Sequence, residues 1–317
     1  MEHIIETRGL RKSFGSGKDA VEAVRGVDLA VEAGQVFGFL GPNGAGKTTT
    51  LRMLVTLLPP SAGEARVVGH DLRTEAAQVR QRIGYVSQGF SSAAGMTGRG
   101  ELVMQARMYG MDAASAGRRA QEVLEHLDLV DAADRPTRTW SGGMRRRLDV
   151  GMGIVHRPAL LFLDEPTTGL DPQARAGLWD EISALRAAGT TVFLTTHYLD
   201  EADALCDRLA IIDHGTIVVE GTPEELKRRI AGDVVTIGVP ERADQVLALV
   251  EGQPFVREVS RDEGIVRAYV DQGESALPAL LRLLDAQGLA PQTLSLNRPS
   301  LDDVFLRQTG RSLRDAA

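Results

Sequence analysis

One cysteine, Cys206, stands among 317 residues, so no disulfide can form within the chain. That scarcity fits a reducing compartment. No window reaches ~20 uninterrupted apolar residues, which excludes a spanning helix. The first residues, MEHIIETRGLRKSFG, carry no long apolar core after a basic start, so no secretion signal is expected. Basic residues do not dominate: 36 stand against 43 acidic ones, a formal charge of −7. This argues against nucleic acid as the main partner and leaves a local basic patch open. There is no internal repeat, no low-complexity stretch and no sustained heptad, so a long coiled coil is excluded. What is present is apolar content of 43%, enough for a sizeable core in one large domain or two ordinary ones. The expectation is a cytosolic protein that can still sit on a membrane through a partner.

Residues 1 to about 224 alternate between strand and helix patterns. QVFGFL (35–40), LLFL (160–163), TVFLT (191–195) and RLAIID (208–213) read as buried strands. Such runs predict an α/β fold with a mostly parallel sheet covered on both faces. Residues 99–135 read as purely helical, a separate lobe. Leu102, Ala106 and Tyr109, then Val123, Leu124 and Leu127, recur there at helical spacing. After GTPEELKRRIAG the order changes to strand 233–239, helix 241–251, strands 254–260 and 264–270, helix 275–287 and strand 291–296. That β-α-β-β-α-β order is ferredoxin-like. PSLDDVFLRQTG reads as a last helix capped by Ser300, with Asp302 and Asp303 in its first turn. The expected domains are 1–230, with a helical lobe at about 89–155, and an α+β accessory domain at 231–317.

Gly41-Pro-Asn-Gly-Ala-Gly-Lys-Thr48 fits G-x-x-x-x-G-K-[ST] between an apolar strand and a helix. Its glycines let backbone N–H groups converge on phosphate oxygens. Lys47 adds a point charge for the outer phosphates, and the Thr48 hydroxyl can ligate Mg²⁺. The loop occurs once, and by itself it does not separate a GTPase, a kinase or an ATPase. LLFLDEPTTGLD (160–171) ends an apolar strand in two acids. Asp164 suits a Mg²⁺ ligand, and Glu165 suits a group that polarises an attacking water. As an isolated histidine, His197 reads as an ordinary surface or core residue. A second helix start, WSGGMRRRLD (140–149), also suits an anion. Two such starts in one domain require an explanation.

Taken together, these stretches resemble the nucleotide-binding subunit of an ATP-binding cassette (ABC) transporter. GPNGAGKTT, YVSQ (85–88), SGG (141–143), LLFLDEP, GLD (169–171) and TTHYLDEAD (195–203) follow in that family's order. The resemblance covers residues 3 to about 230. SGGMRRRLD, the stretch from LWDEISALRAAG to LCDR and the tail PSLDDVFLRQTG are similar to the drug-resistance exporter branch. It implies a P-loop core with an antiparallel β subdomain and a helical lobe. It also implies ATP and Mg²⁺ as ligands, and a separate polytopic permease that carries the transport path. The motor would be cytoplasmic, peripheral on the inner face of the membrane, and would export a hydrophobic or amphipathic compound.

The family also implies an answer to the second helix start. Two cassettes, identical or not, pack head to tail, and the SGG helix of one faces the γ-phosphate held by the other. Ser141, Gly142 and Gly143 would then serve the partner's ATP, with Asp171 at the interface. Gly41, Asn43, Gly44, Ala45, Gly46, Lys47, Thr48 and Thr49 would cradle the chain's own phosphates. Thr48, Gln88 and Asp164 would hold Mg²⁺, Glu165 would act as base, and His197 becomes a γ-phosphate contact. Phe14 falls at the position that stacks on adenine; an edge-strand core residue is the equal alternative. Two signature positions depart from the usual LSGGQ, with Trp140 for Leu and Met144 for Gln, and Met lacks the amide's hydrogen bonds. Gly100 stands where the branch more often has an acid, which predicts a looser start to the lobe. Arg145 to Arg147 read as a solvated face with one phosphate contact. The competing class is a non-transport cassette of DNA-repair or translation type. The accessory domain carries no visible chemistry; stabilising the dimer or cassette is its first reading, regulation or ligand sensing the next.

Overall fold

Three short strands with every residue buried form the middle of the first unit. In the computed structural model, which describes residues 3–15, 20–89, 95–229, 233–239, 241–297 and 300–310, the chain divides into Met1–Glu220 and Gly221–Ala317. The first unit runs β1 (His3–Phe14), β2 (Val21–Glu32), β3 (Val36–Leu40), α1 (Lys47–Leu54), β4 (Ala62–Val67), β5 (His70–Asp71), α2 (Ala76–Arg82) and β6 (Ile83–Val86). It continues through α3 (Gly98–Met108), α4 (Ala113–His126), α5 (Gly142–Ile154), β7 (Leu160–Asp164), α6 (Pro172–Ala187), β8 (Thr191–Thr196), α7 (Leu199–Leu205), β9 (Arg208–Asp213) and β10 (Thr216–Gly221). β3, β7 and β8 are the fully buried strands. They lie in a six-stranded sheet of order β10-β9-β3-β8-β7-β6, whose pairs from β9 to β6 are parallel. Continuous apolar runs suit strands covered on both faces. Phe37 stacks on Phe193 with centroids 5.6 Å apart, and Phe162 reaches the same ring at 5.5 Å.

A second sheet, β2-β1-β4-β5, is antiparallel throughout. It is the antiparallel subdomain that the family resemblance implied. The lobe has a core of its own, built by α3, α4 and α5 around Leu102, Ala106, Leu124, Leu127, Trp140 and Leu148. Tyr109 does not join it: the ring is 37% exposed and stacks on His156 with centroids 3.6 Å apart. Helical spacing groups it with Leu102 and Ala106, but Tyr109 is the C-cap of α3 and its ring lies on His156 instead. The start of α3 is held despite Gly100, whose N–H donates to the Thr97 side chain at 3.1 Å. Residues 90–94 of the expected lobe lie outside the described residues.

The second unit runs α8 (Pro223–Arg229), β11 (Asp233–Gly238), α9 (Ala243–Glu251), β12 (Val256–Asp262), β13 (Ile265–Val270), α10 (Gly273–Ala286), β14 (Thr293–Asn297) and α11 (Leu301–Thr309). Its sheet has order β12-β13-β11-β14 with every pair antiparallel, the ferredoxin-like arrangement. α11 carries a full capping box between Ser300 and Asp303. It packs against α8. The unit therefore begins before α8, after Glu220 rather than after residue 230. The closing stretch 311–317 lies outside the described residues.

Candidate nucleotide site

The phosphate loop leaves β3 at Gly41 and enters α1 at Lys47. Gly44 and Gly46 adopt left-handed backbone, with φ of 79° and 107°. At Gly46 a Cβ would also stand 2.7 Å from the Ala23 carbonyl, so only glycine fits. Ala45 is buried, and its N–H and C=O bond Pro42 and Gly215. Successive N–H groups in such a turn form an anion-binding nest. Asn43 and Gly44 are exposed, and Thr48 and Thr49 are half-buried. The loop lines a hollow of about 180 Å³ together with Ala23, Gln88 and Glu165.

Asp164 ends β7, and Glu165, the next residue, lines this hollow. Asp164 is 2% exposed, and its Oδ1 accepts from Thr48 Oγ1 at 3.1 Å and Thr195 Oγ1 at 2.6 Å. Glu165 is 7% exposed and takes left-handed backbone with φ of 45°. A glutamate pays ~1–3 kcal/mol for that conformation, a cost met mostly at functional sites. Its N–H is held by both the carbonyl and the hydroxyl of Thr195, at 3.1 and 3.0 Å. Its carboxylate meets Lys47 Nζ at 3.3 Å, Gln88 Nε2 at 2.9 Å and Thr168 Oγ1 at 3.4 Å. His197 Nδ1 lies 3.3 Å from Oε2, within ion-pair reach but outside good hydrogen-bond geometry. Burial works to raise the Glu165 pKa, but His197 and Lys47 outweigh it and hold the carboxyl at about 2. Burial pushes the Lys47 ammonium down against Glu165, which supports it. Lys47 Nζ also donates to the Gly41 and Pro42 carbonyls at 2.7 and 3.1 Å.

The SGG start is elsewhere. Ser141 caps α5 by accepting from Met144 N at 3.2 Å. Gly143 packs on α6, where an added Cβ would meet Ala174 Cβ at 3.0 Å, while Gly142 faces open space. Asp171 caps α6 through Ala174 N at 2.8 Å. These residues line a cleft of about 730 Å³ that also includes Met144 and Arg147. It shares no lining residue with the phosphate-loop hollow. The chain thus gathers Lys47, Thr48, Gln88, Asp164, Glu165 and His197, and leaves Ser141, Gly142, Gly143 and Asp171 apart from them. Phe14 belongs to neither lining. It is 41% exposed with Lys12 Nζ 5.3 Å from its ring centroid, so the edge-strand core reading fails.

Sequence reasoning missed Thr195, which read as the end of a strand but binds both carboxylate-bearing residues. It also misjudged the arginines after SGG. Arg146 is 3% exposed and donates to backbone carbonyls, and Arg147 Nη1 donates to Leu127 O at 2.9 Å. The solvated-face reading fails because Arg146 points into the unit. Nothing in the run of three arginines marked the middle one.

Residues 24–168 match the family model described as ABC transporter, and residues 221–309 match the ATP-binding protein DrrA1-3-like, C-terminal domain. The daunorubicin/doxorubicin resistance ATP-binding protein DrrA of Streptomyces peucetius is 46% identical, over 98% of this chain and 94% of its own length. The chain belongs to the ABC transporter family, in the drug-resistance branch. The Nod factor export ATP-binding protein I of Ralstonia nicotianae is 40% identical over 98% of this chain and 95% of its own. Two solved cassettes share the fold at lower identity. The dimeric cassette MJ0796 bound to ADP and Pi is 23% identical, with a TM-score of 0.63 over 69% of this chain and 98% of that one. The cbiO1 cassette of Clostridium perfringens is 24% identical, with a TM-score of 0.65 over 73% and 95%. This family member is a nucleotide-binding, ATP-hydrolysing motor subunit of an export system. Such a subunit works with a transmembrane partner and as a pair of cassettes. The DNA-repair or translation reading is not favoured. Among the described residues, no helix is long and apolar enough to cross a membrane.

Proposed function

We propose that two cassettes close head to tail around two ATP molecules and that this closure drives a separate polytopic permease. The observation that carries this reading is the division of the anion-binding groups between two hollows with no shared lining residue. The phosphate-loop hollow of about 180 Å³ is small beside the ~300–1,000 Å³ of an ordinary small-molecule site. It suits a phosphate tail with one wall supplied from outside. Ser141 and the Gly142 and Gly143 N–H groups are the donors for that wall, and Asp171 stands beside them.

Within one site, Lys47 and the loop's N–H groups take the phosphates. Thr48 Oγ1 and Asp164 Oδ1, 3.1 Å apart, are hard oxygens suited to Mg²⁺. Gln88 turns its amide nitrogen to Glu165, which leaves its carbonyl oxygen for the metal or its water. Bound Mg²⁺ supplies charge neutralisation at the phosphates. Glu165 then orients and deprotonates water. A carboxylate at about 2 is a weak base. The γ-phosphate relieves this by competing for Lys47 and His197, which frees the carboxylate. His197 becomes a donor to that phosphate. Phe14 offers a platform for the adenine ring.

Through its permease the motor sits on the inner face of the membrane. The cargo class is hydrophobic or amphipathic, in line with the daunorubicin and doxorubicin of the Streptomyces relative's name. The second unit stabilises the cassette or its dimer. Tagged Glu165→Gln, expressed in the native host and solubilised with ATP and Mg²⁺, tests the reading. A stoichiometric polytopic membrane protein should co-purify. Ribosomes, DNA or soluble proteins alone would overturn it.

A further inference from the structure

Arg146 lies one turn into α5 and is 3% exposed. A guanidinium buried that deeply must find acceptors for its N–H groups. It finds backbone carbonyls on two loops. Nε donates to Pro166 O at 2.7 Å, Nη1 to Ser87 O at 2.6 Å and Nη2 to Asp164 O at 3.4 Å. Asp149 Oδ2, a turn further along α5, lies 4.0 Å from Nη1 as a counter-charge. The gripped positions are informative. Ser87 precedes Gln88, whose amide donates to Glu165 at 2.9 Å. Asp164 and Pro166 are the two chain neighbours of Glu165. One side chain of the SGG helix thus holds the backbone on both sides of Glu165 and beside Gln88.

The helix itself is fastened to the rest of the lobe at three places. Arg119 of α4 donates to the Val155 and Ile154 carbonyls at the end of α5, at 2.9 and 3.0 Å. Arg147 holds the Leu127 carbonyl after α4. Tyr109, after α3, stacks on His156, after α5. A tilt of the lobe would carry α5 with it, and Arg146 is where that tilt reaches the loops of the site.

We infer that Arg146 is a positioning residue that couples the orientation of the SGG helix, facing the partner's ATP, to the placement of Gln88 and Glu165 at the chain's own ATP. This rests on the roles proposed above for Glu165 and for the SGG helix. Arg146 makes and breaks no bond in the reaction. Lysine cannot replace it, because one ammonium lacks the planar fork that spans separate carbonyls.

The test uses the full-length chain with Arg146→Lys and Arg146→Met. For both, kcat for ATP should fall by ~10–100-fold, the usual cost of a displacement of about 1 Å at a reacting group. Binding of ATP without Mg²⁺ should stay close to wild type, since the hydrogen bonds of Arg146 go to the Ser87, Asp164 and Pro166 carbonyls and none goes to the phosphate loop. In the Glu165→Gln background, either change should reduce the yield of ATP-driven dimer in light scattering. Wild-type kcat in both variants would overturn the inference. So would loss of ATP binding in step with unfolding, which marks a merely structural prop. If unsubstituted chain fails to hydrolyse ATP, or Glu165→Gln fails to dimerise with ATP, the proposed reading of the site falls, and this inference falls with it.

Discussion

Glutamine at position 165 would keep the size of the side chain and remove its charge. Glu165 is 7% exposed and faces Lys47 and His197, each at 3.3 Å. Its carboxyl is held at about 2, below the ordinary 4.5. A depressed carboxyl stabilises the fold fully above its unfolded pKa and loses that contribution as pH falls through its folded pKa. The window therefore runs from about pH 4.5 down to about 2, and the contribution is at most ~3 kcal/mol. Part of it is offset by the desolvated Lys47. Denaturant unfolding at pH 7, 5, 3 and 2 reads the difference between wild type and Glu165→Gln. Wild type should be the more stable by ~1–3 kcal/mol at pH 7, and the gap should close near pH 2. Turnover should fall by ~10²–10⁴-fold, the range for a lost general base, while ATP still binds. A gap that does not change with pH would refute the electrostatic account. Hydrolysis at the wild-type rate would refute the assignment of the base.

Thr195→Val removes the hydroxyl shared by Asp164 Oδ1 and the Glu165 N–H, and should cost ~1–3 kcal/mol in denaturant unfolding. Ser141→Ala removes the cap on Met144 N and should cost about 1 kcal/mol by thermal melting, with no change in MgATP affinity of the monomer. Gly142→Ala and Gly143→Ala should differ. An added Cβ at Gly143 presses on Ala174 and lowers the melting temperature, whereas at Gly142 it meets nothing, should leave the melting temperature equal or slightly higher, and should lower ATP-driven dimer yield. Ser300→Ala breaks the capping box of α11 and should cost about 1 kcal/mol in thermal melting of the second unit.

The sequence by itself determined the parts whose conformation is set by neighbouring residues. The phosphate loop is one: Gly44 and Gly46 permit the left-handed turns, and the strand and helix on either side follow directly. The parallel strands are another, because burial on both faces leaves short apolar runs, VFGFL in Val36–Leu40, LLFL before Asp164 and VFL inside Thr191–Thr196. The antiparallel sheet left no such mark. β1 is a twelve-residue strand with an interrupted burial pattern and several register shifts, and only the family resemblance implied its sheet. Tertiary structure alone decided the partners. Thr48 meets Asp164 across 116 residues of sequence, and Gln88 meets Glu165 across 77. It also chose among three identical arginines: Arg146 faces the Ser87, Asp164 and Pro166 carbonyls, and Arg147 faces the lobe. Successive residues on a helix point about 100° apart, so which of three like neighbours is buried depends on what packs against α5. That information lies in the loops it packs against, not in the run of arginines.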